Sequence, residues 1–196
     1  MSQVPVMFRP LARYAEFEGR SNRAEYWLFI LLIYLVTGAG YGLIYLCSLK
    51  GGHFDLDHFL ANYMQFSPLM SVVSLGTLVP YLAVSVRRLH DSGRTGWWLI
   101  GPVIVSFVSY IVFFVVKGSE VMTIMMNMAE QMNTLDMSGS AMMNPVPILK
   151  LEWPLFQLML PWVMIPSIAA QLVLWVLMLL PGNTGDNRFG APPARG

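Results

Sequence analysis

The sequence predicts an all-α integral membrane protein: four transmembrane helices, a short N-terminal interfacial helix and a Met-rich outer loop that is partly helical. Three observations carry that expectation. Hydrophobic residues make up 56% of the 196 residues and charged residues 12%, about half the charged share of a soluble domain. The charges are also segregated, since residues 26–49, 59–86, 95–116 and 153–180 contain none. Each run reaches the roughly 20 residues that a helix needs to cross a hydrocarbon core about 30 Å thick. Finally, the cations alternate between sides. Arg9, Arg13, Arg20, Arg23, Arg87, Arg88, Arg94, Arg188 and Arg195 flank one set of span ends, against Lys50, Lys117 and Lys150 at the other. That bias places both termini in the cytoplasm, and an even number of spans agrees by putting them on one side.

The expected layout is a single membrane domain over residues 1–196, with spans at about 26–49, 67–86, 96–116 and 155–180. A cytoplasmic arm (1–25), an outer loop (117–153) and a cytoplasmic tail (181–196) complete it. The first apolar run is too long for the apolar core of a signal peptide and lacks a small-residue cleavage site, so it reads as an anchor. The one cysteine, Cys47, excludes an internal disulfide and reads as a small packing residue.

The arm opens with VMFRPLARYAEF (6–17), which interleaves Phe8, Leu11, Tyr14 and Phe17 with Arg9 and Arg13. That pattern suits a helix in the headgroup layer with its cations toward anionic lipid, provided Pro10 falls in a first turn. Gly19 permits a turn, and Asn22 followed by Glu25 predicts a capped start to the first span. Tyr26 and Trp27 then fall where interfacial aromatics sit. Gly38 and Gly42 have the spacing of a close helix contact, either within the bundle or in a homo-oligomer.

The outer loop after the first span groups His53, Asp55, Asp57 and His58. These suit a solvated loop, and a divalent metal is chemically compatible with them. In the second span Pro80 predicts a kink, tolerated where neighbours satisfy the freed carbonyl.

The segment RRLHDSGRTGWW (87–98) predicts a tight cytoplasmic hairpin that makes spans two and three antiparallel neighbours. Arg87 and Arg88 are placed to snorkel. Asp91 is spaced to meet either on an exposed turn, where such a pair contributes about 0.3–0.5 kcal/mol. Gly93 should end the helix in a left-handed conformation and Thr95 should cap the next. Trp97 and Trp98 would belt the interface.

The outer loop that follows carries eight methionines between residues 122 and 143. Met125, Met128, Met132 and Leu135 recur at helical spacing, suiting an amphipathic helix, and clustered thioethers are also compatible with Cu(I). SGSAMMNPVP reads as a link. In the fourth span Gln171 should face another helix. In the tail GNTGDNRFG, Gly182, Gly185 and Gly190 impose turns, and Asn183, Asp186, Asn187 and Arg188 return to the cytoplasmic side.

The expected site is therefore a cytoplasmic polar cluster of Arg20, Arg23, Glu25, Arg87, Arg88, His90, Asp91, Arg94, Asp186, Asn187 and Arg188. Its arginines suit anionic headgroups or a membrane-protein partner, because the guanidinium fork bonds phosphate or carboxylate in two places. The same charges would also serve to lock helix ends and set topology. An enzyme using His90 and Asp91 is an alternative, but one histidine is thin for a metal site, and no serine elbow, phosphate loop or zinc-helix pattern is present. A transporter or channel subunit is another alternative, against which the spans contain no ionisable side chain. No cofactor or resident metal is expected. Nucleic-acid binding has no support, since topology accounts for the basic rim.

Three segments together, FEGRSNRAEYW (17–27), RRLHDSGRTGWW (87–98) and GNTGDNRFG (182–190), resemble domain of unknown function 805, the YhaH-like small proteins of the bacterial inner membrane. The likeness spans about residues 8–192. It implies a multi-span inner-membrane protein and brings no established activity. The Met-rich insert is longer than the connection expected there.

Overall fold

The computed structural model describes residues 4–50, 53–134 and 146–193. Four of its helices are long and apolar enough to cross a membrane, and the protein is all-α apart from one minimal hairpin. A 3-10 turn, Val6–Phe8, leads into α1 (Arg9–Ala12). The first long helix, α2 (Arg23–Cys47), is followed by β1 (Leu49–Lys50) paired antiparallel with β2 (His53–Phe54). Next come α3 (Leu56–Asp91), a 3-10 turn Gly96–Leu99 and α4 (Ile100–Thr134). The chain ends in α5 (Val146–Met159), a π-helical turn Leu160–Met164, α6 (Ile165–Leu179) and the tail. Two compact units result: residues 1–99 with 176–196, and residues 100–175.

In the first unit α2 and α3 pack antiparallel around Tyr26, Phe29, Ile44, Ala83, Val84 and Leu89, all buried. Close approach is set at Gly40, where a side chain would collide with Met70 of α3. Gly38 and Gly42, which the spacing favoured, face open space. Their period is right for a contact, but they lie on a different face of the helix. At the far end Asp55 caps α3, its Oδ1 accepting the His58 N–H at 3.1 Å while Oδ2 lies 3.1 Å from His58 Nδ1. The side chains of His53 and Asp57 lie outside the described residues.

The arm is less helical than expected. The helix stops at Ala12, with Pro10 buried in its first turn, where a missing N–H costs nothing. Tyr14, two residues beyond the end of this helix, performs a task that composition did not suggest. Pro80, inside α3, cannot bond the carbonyl of Gly76 four residues earlier, and the Tyr14 hydroxyl donates to that carbonyl at 2.7 Å. Phe8, Leu11 and Phe17 remain exposed.

Both central helices outrun the expected spans. With 36 and 35 residues, α3 and α4 measure about 54 and 52 Å at 1.5 Å per residue, against a core about 30 Å thick. The stretch after Val116 does not break α4. Lys117 and Glu120 pair one turn apart at 2.6 Å, Thr123 bonds back to Ser119 at 3.0 Å, and Val121 is buried with Phe113 and Val163. The Met-rich segment thus begins as a continuation of the third span, with Met122, Met125 and Met126 exposed. The Met132 side chain, Leu135 and most of the SGSAMMNPVP link lie outside the described residues.

Candidate functional site

The end of α3 dictates the geometry of the site. Leu89 and His90 are the last residues whose carbonyls accept from the turn that follows, with Arg94 N–H on Leu89 O at 2.9 Å and Gly93 N–H on His90 O at 3.0 Å. Gly93 has φ +76°. This is the paired 6→1 and 5→2 arrangement of a glycine-terminated helix, as the sequence suggested. Thr95 precedes a 3-10 turn and not an α-helix; Trp98 N–H reaches its carbonyl at 3.4 Å. Close packing of this turn on α3 leaves only 2.9 Å between a Cβ at Gly96 and Val86.

Arg87 and Arg88 do not snorkel. Both are fully buried, and each guanidinium nitrogen has an acceptor. Arg87 Nε donates to Ser21 Oγ at 2.9 Å, Nη1 to the Glu16 carbonyl and Nη2 to Glu25 Oε1 at 3.3 Å. Arg88 Nε donates to Met178 O at 3.0 Å, Nη1 to Asp91 Oδ2 and Nη2 to Leu180 O. Consecutive residues point some 100° apart around a helix, so the two forks grip different segments. Arg87 takes the arm and Arg88 takes the end of α6, whose last carbonyls lack helical partners and carry the negative end of the helix dipole.

Arg20 completes the cluster from the arm. Its Nε lies 3.0 Å and its Nη2 2.9 Å from Asp91 Oδ1. Nη1 donates to the carbonyls of Gly185 (2.8 Å) and Gly190 (3.2 Å), and Nη2 donates to that of Asn183. Asp91 therefore joins Arg20 and Arg88 in a buried pair of ion pairs, its side chain 7% exposed. The surface contact that the spacing suggested is replaced by a desolvated one, and Arg87 takes Glu25 instead of Asp91. Three buried cations against two buried carboxylates leave one positive charge. Eight backbone carbonyls, from residues 13, 16, 91, 178, 180, 183, 185 and 190, accept from the three guanidiniums.

Arm and tail are shaped to reach these donors. Gly19 turns at φ +81°. Asn22 caps α2 by accepting the Glu25 N–H at 2.8 Å, which confirms the cap, while the Glu25 carboxylate turns inward to Arg87. Ser21 N–H bonds Arg87 O at 3.1 Å and Asn183 N–H bonds Asp91 O at 2.8 Å. Gly182 has no room for a side chain, because a Cβ there would overlap the Asp91 carboxylate. Asn187 donates to His90 O at 2.9 Å and closes a tight turn with Gly190, whose φ is +116°.

His90 packs parallel to Phe189, with ring centroids 3.8 Å apart, and its Nδ1 lies 3.2 Å from Gly19 O. A carbonyl only accepts, so the proton belongs on Nδ1. Arg188 lies over Phe189 at 4.7 Å and reaches Gly93 O at 3.3 Å, but stays exposed.

Three expected members stand apart. Arg23 is exposed, Arg94 is half-buried, and Asp186 is exposed and in no ion pair among the described residues. Arg23 lines a recess of about 370 Å³ with Asn22, Asp91, Gly182, Asn183 and Thr184. Of the aromatics, Trp97 and Trp98 are exposed as a boundary belt requires, and Trp27 is half-buried. Tyr26 is not on that face: it is 1% exposed, within the α2–α3 contact. Outside the spans, Arg13 and Glu16 form a two-bonded pair at 2.6 and 2.8 Å. That pairing holds the Glu16 carboxyl below its ordinary value and raises Arg13.

Sequence reasoning missed Ser21 and the backbone carbonyls; it placed Gly182 in a turn and Asn183 on the side of the cluster without giving either a contact in it. Only the glycine-rich composition of the tail hinted at the carbonyls, since glycine lets a chain present them close to a guest.

Relatives carry comparable chains. The inner membrane protein YhaI of Escherichia coli strain K12 is 32% identical over 111 residues, which cover 56% of this chain and 81% of YhaI. The inner membrane protein YhaH of the same strain is 31% identical over 107 residues, covering 54% of this chain and 77% of YhaH. No solved structure matches. Residues 14–191 match the family model described as Protein of unknown function (DUF805), and the chain belongs to that family.

Proposed function

We infer that this is a non-enzymatic, multi-pass protein of the bacterial inner membrane. In this reading the buried arginine cluster ties arm and tail to the cytoplasmic end of α3, and the cations left outside it meet anionic headgroups. The observation that carries this is the saturation of Arg20, Arg87 and Arg88. A phosphate could bind these guanidiniums only by displacing partners from the arm, α6 and the tail. Binding therefore falls to Arg23 and Arg188, which are exposed on the rim of that structure, aided by Arg9 and Arg94. The names of YhaI and YhaH support the membrane, and the asymmetry of the arginines supports the orientation.

An enzymatic role for His90 and Asp91 is disfavoured by the same geometry. The carboxylate is held between two guanidiniums and the imidazole is stacked and bonded, so neither is poised as a base.

Native mass spectrometry of the protein in nonionic micelles tests the lipid reading. Phosphatidylglycerol should be retained in preference to phosphatidylcholine, and Arg23→Gln with Arg188→Gln should remove the preference while leaving the fold intact. Equal retention of the two lipids would refute it.

A further inference from the structure

In the second unit, α4 and α6 flank an open recess of about 480 Å³ lined by Pro102, Val103 and Ser106 on one side and Ser167, Ile168 and Gln171 on the other. The volume falls within the usual range for small-molecule sites. Its walls belong to runs without a single charge, and Gln171 stands eight residues before the end of α6, about 12 Å along the helix. The recess thus opens at hydrocarbon depth.

Its polar groups are unusual for this protein. On α2 and α3 the hydroxyls of Thr37, Ser71, Ser74, Thr77 and Ser85 each donate to the carbonyl four residues earlier, at 2.6–3.0 Å. That is the normal way to satisfy a hydroxyl in lipid. In the recess the Ser167 Oγ is buried with no hydrogen-bond partner. Just before it the helix is interrupted by the π turn Leu160–Met164, which contains Pro161 and is followed by Pro166, and such turns recur at functional sites. A buried hydroxyl without a partner in an apolar medium is costly, and the neighbouring amide of Gln171 supplies two further donors.

We propose that this recess binds the carbonyl group of an uncharged, lipid-soluble molecule. Donors from Ser167 and Gln171 meet the carbonyl oxygen, while Pro102, Val103 and Ile168 hold its apolar body. No charge lines the walls, so an ionic headgroup has no counterpart there. Two sources offer this chemistry in a membrane: the ester of a glycerolipid and the ring of a quinone. The proposal is independent of the headgroup reading, which concerns the other unit.

Native mass spectrometry of the purified full chain distinguishes the sources, with dioleoylglycerol and decylubiquinone as separate probes. One equivalent of one probe should be retained, the identity of that probe naming the source. Gln171→Leu or Ser167→Ala should weaken retention about five- to tenfold, as expected for one lost hydrogen bond, and Ser109→Ala, outside the recess, should not. If Gln171→Leu does not fold, Ser167→Ala and Ser106→Ala carry the comparison. Retention of neither probe, or equal retention in wild type and all recess variants, would overturn the proposal.

Discussion

Replacing Asp91 by asparagine removes the charge that holds two buried guanidiniums and leaves the shape of the side chain nearly unchanged. In the native cluster the carboxylate takes Arg20 through Nε and Nη2 at 3.0 and 2.9 Å, and takes Arg88 on its other oxygen. Leaving a buried charge without its partner costs about 3–5 kcal/mol. The lower end applies here, because Arg20 keeps the carbonyls of residues 183, 185 and 190 and Arg88 keeps those of 178 and 180. A loss of about 3 kcal/mol multiplies the undocked tail population by roughly 150.

The assay is trypsin cleavage after Arg188 in detergent micelles, which requires the tail to leave the carbonyl contacts with Arg20 and the Asn187 bond to His90 O. Cleavage should accelerate by two orders of magnitude in Asp91→Asn, and Asp91→Glu should recover part of the protection. A rate within threefold of the parent would mean that the ion pairs are dispensable and the reasoning wrong.

Other consequences follow from the same contacts. Gly182→Ala should release the tail as Asp91→Asn does, whereas Gly185→Ala, where a Cβ meets open space, should leave the cleavage rate unchanged. Tyr14→Phe orphans the Gly76 carbonyl and should cost about 1–3 kcal/mol in reversible SDS unfolding; no change would remove Tyr14 from the account of Pro80. The Glu16 carboxyl is held low by Arg13. The stabilisation of the arm by this pair is therefore present above the ordinary carboxylate value and fades as pH falls through the lowered one, below the ordinary carboxylate range. Limited pepsin cleavage near Arg13 should rise in that window, and Glu16→Gln should abolish the dependence.

What could be read in advance was what periodicity and punctuation encode. Charge-free length gives the four spans, Gly93 the helix end, Asn22 the cap, and the arginine asymmetry a common boundary for the three polar segments. What could not be read was which side of the boundary each guanidinium faces. A pair such as Arg87 and Arg88 looks exposed because charge seldom enters a core, and it is buried here because carbonyls accept from it. Backbone carbonyls belong to every residue type, so neither the tail over Asp91 nor the end of α6 over Arg88 leaves a mark in composition. The continuation of α4 past Val116 was hidden for a related reason. Lys117, Gly118, Ser119 and Glu120 resemble the end of a helix, and the burial of Val121 beside Phe113 and Val163 overrides them. Within the first unit the Gly38–Gly42 spacing gave no contact, because period fixes a face and not its neighbour; Gly40 meets Met70 instead.

The central claim is that the α3 turn and the tail share one side of the membrane and lock there. Ser92→Cys and Thr184→Cys, each in a Cys47→Ser background, can be labelled with a membrane-impermeant maleimide in spheroplasts and in inside-out vesicles. Both positions should stay unlabelled in spheroplasts and react in inside-out vesicles. Labelling of the two positions from opposite sides would contradict the account.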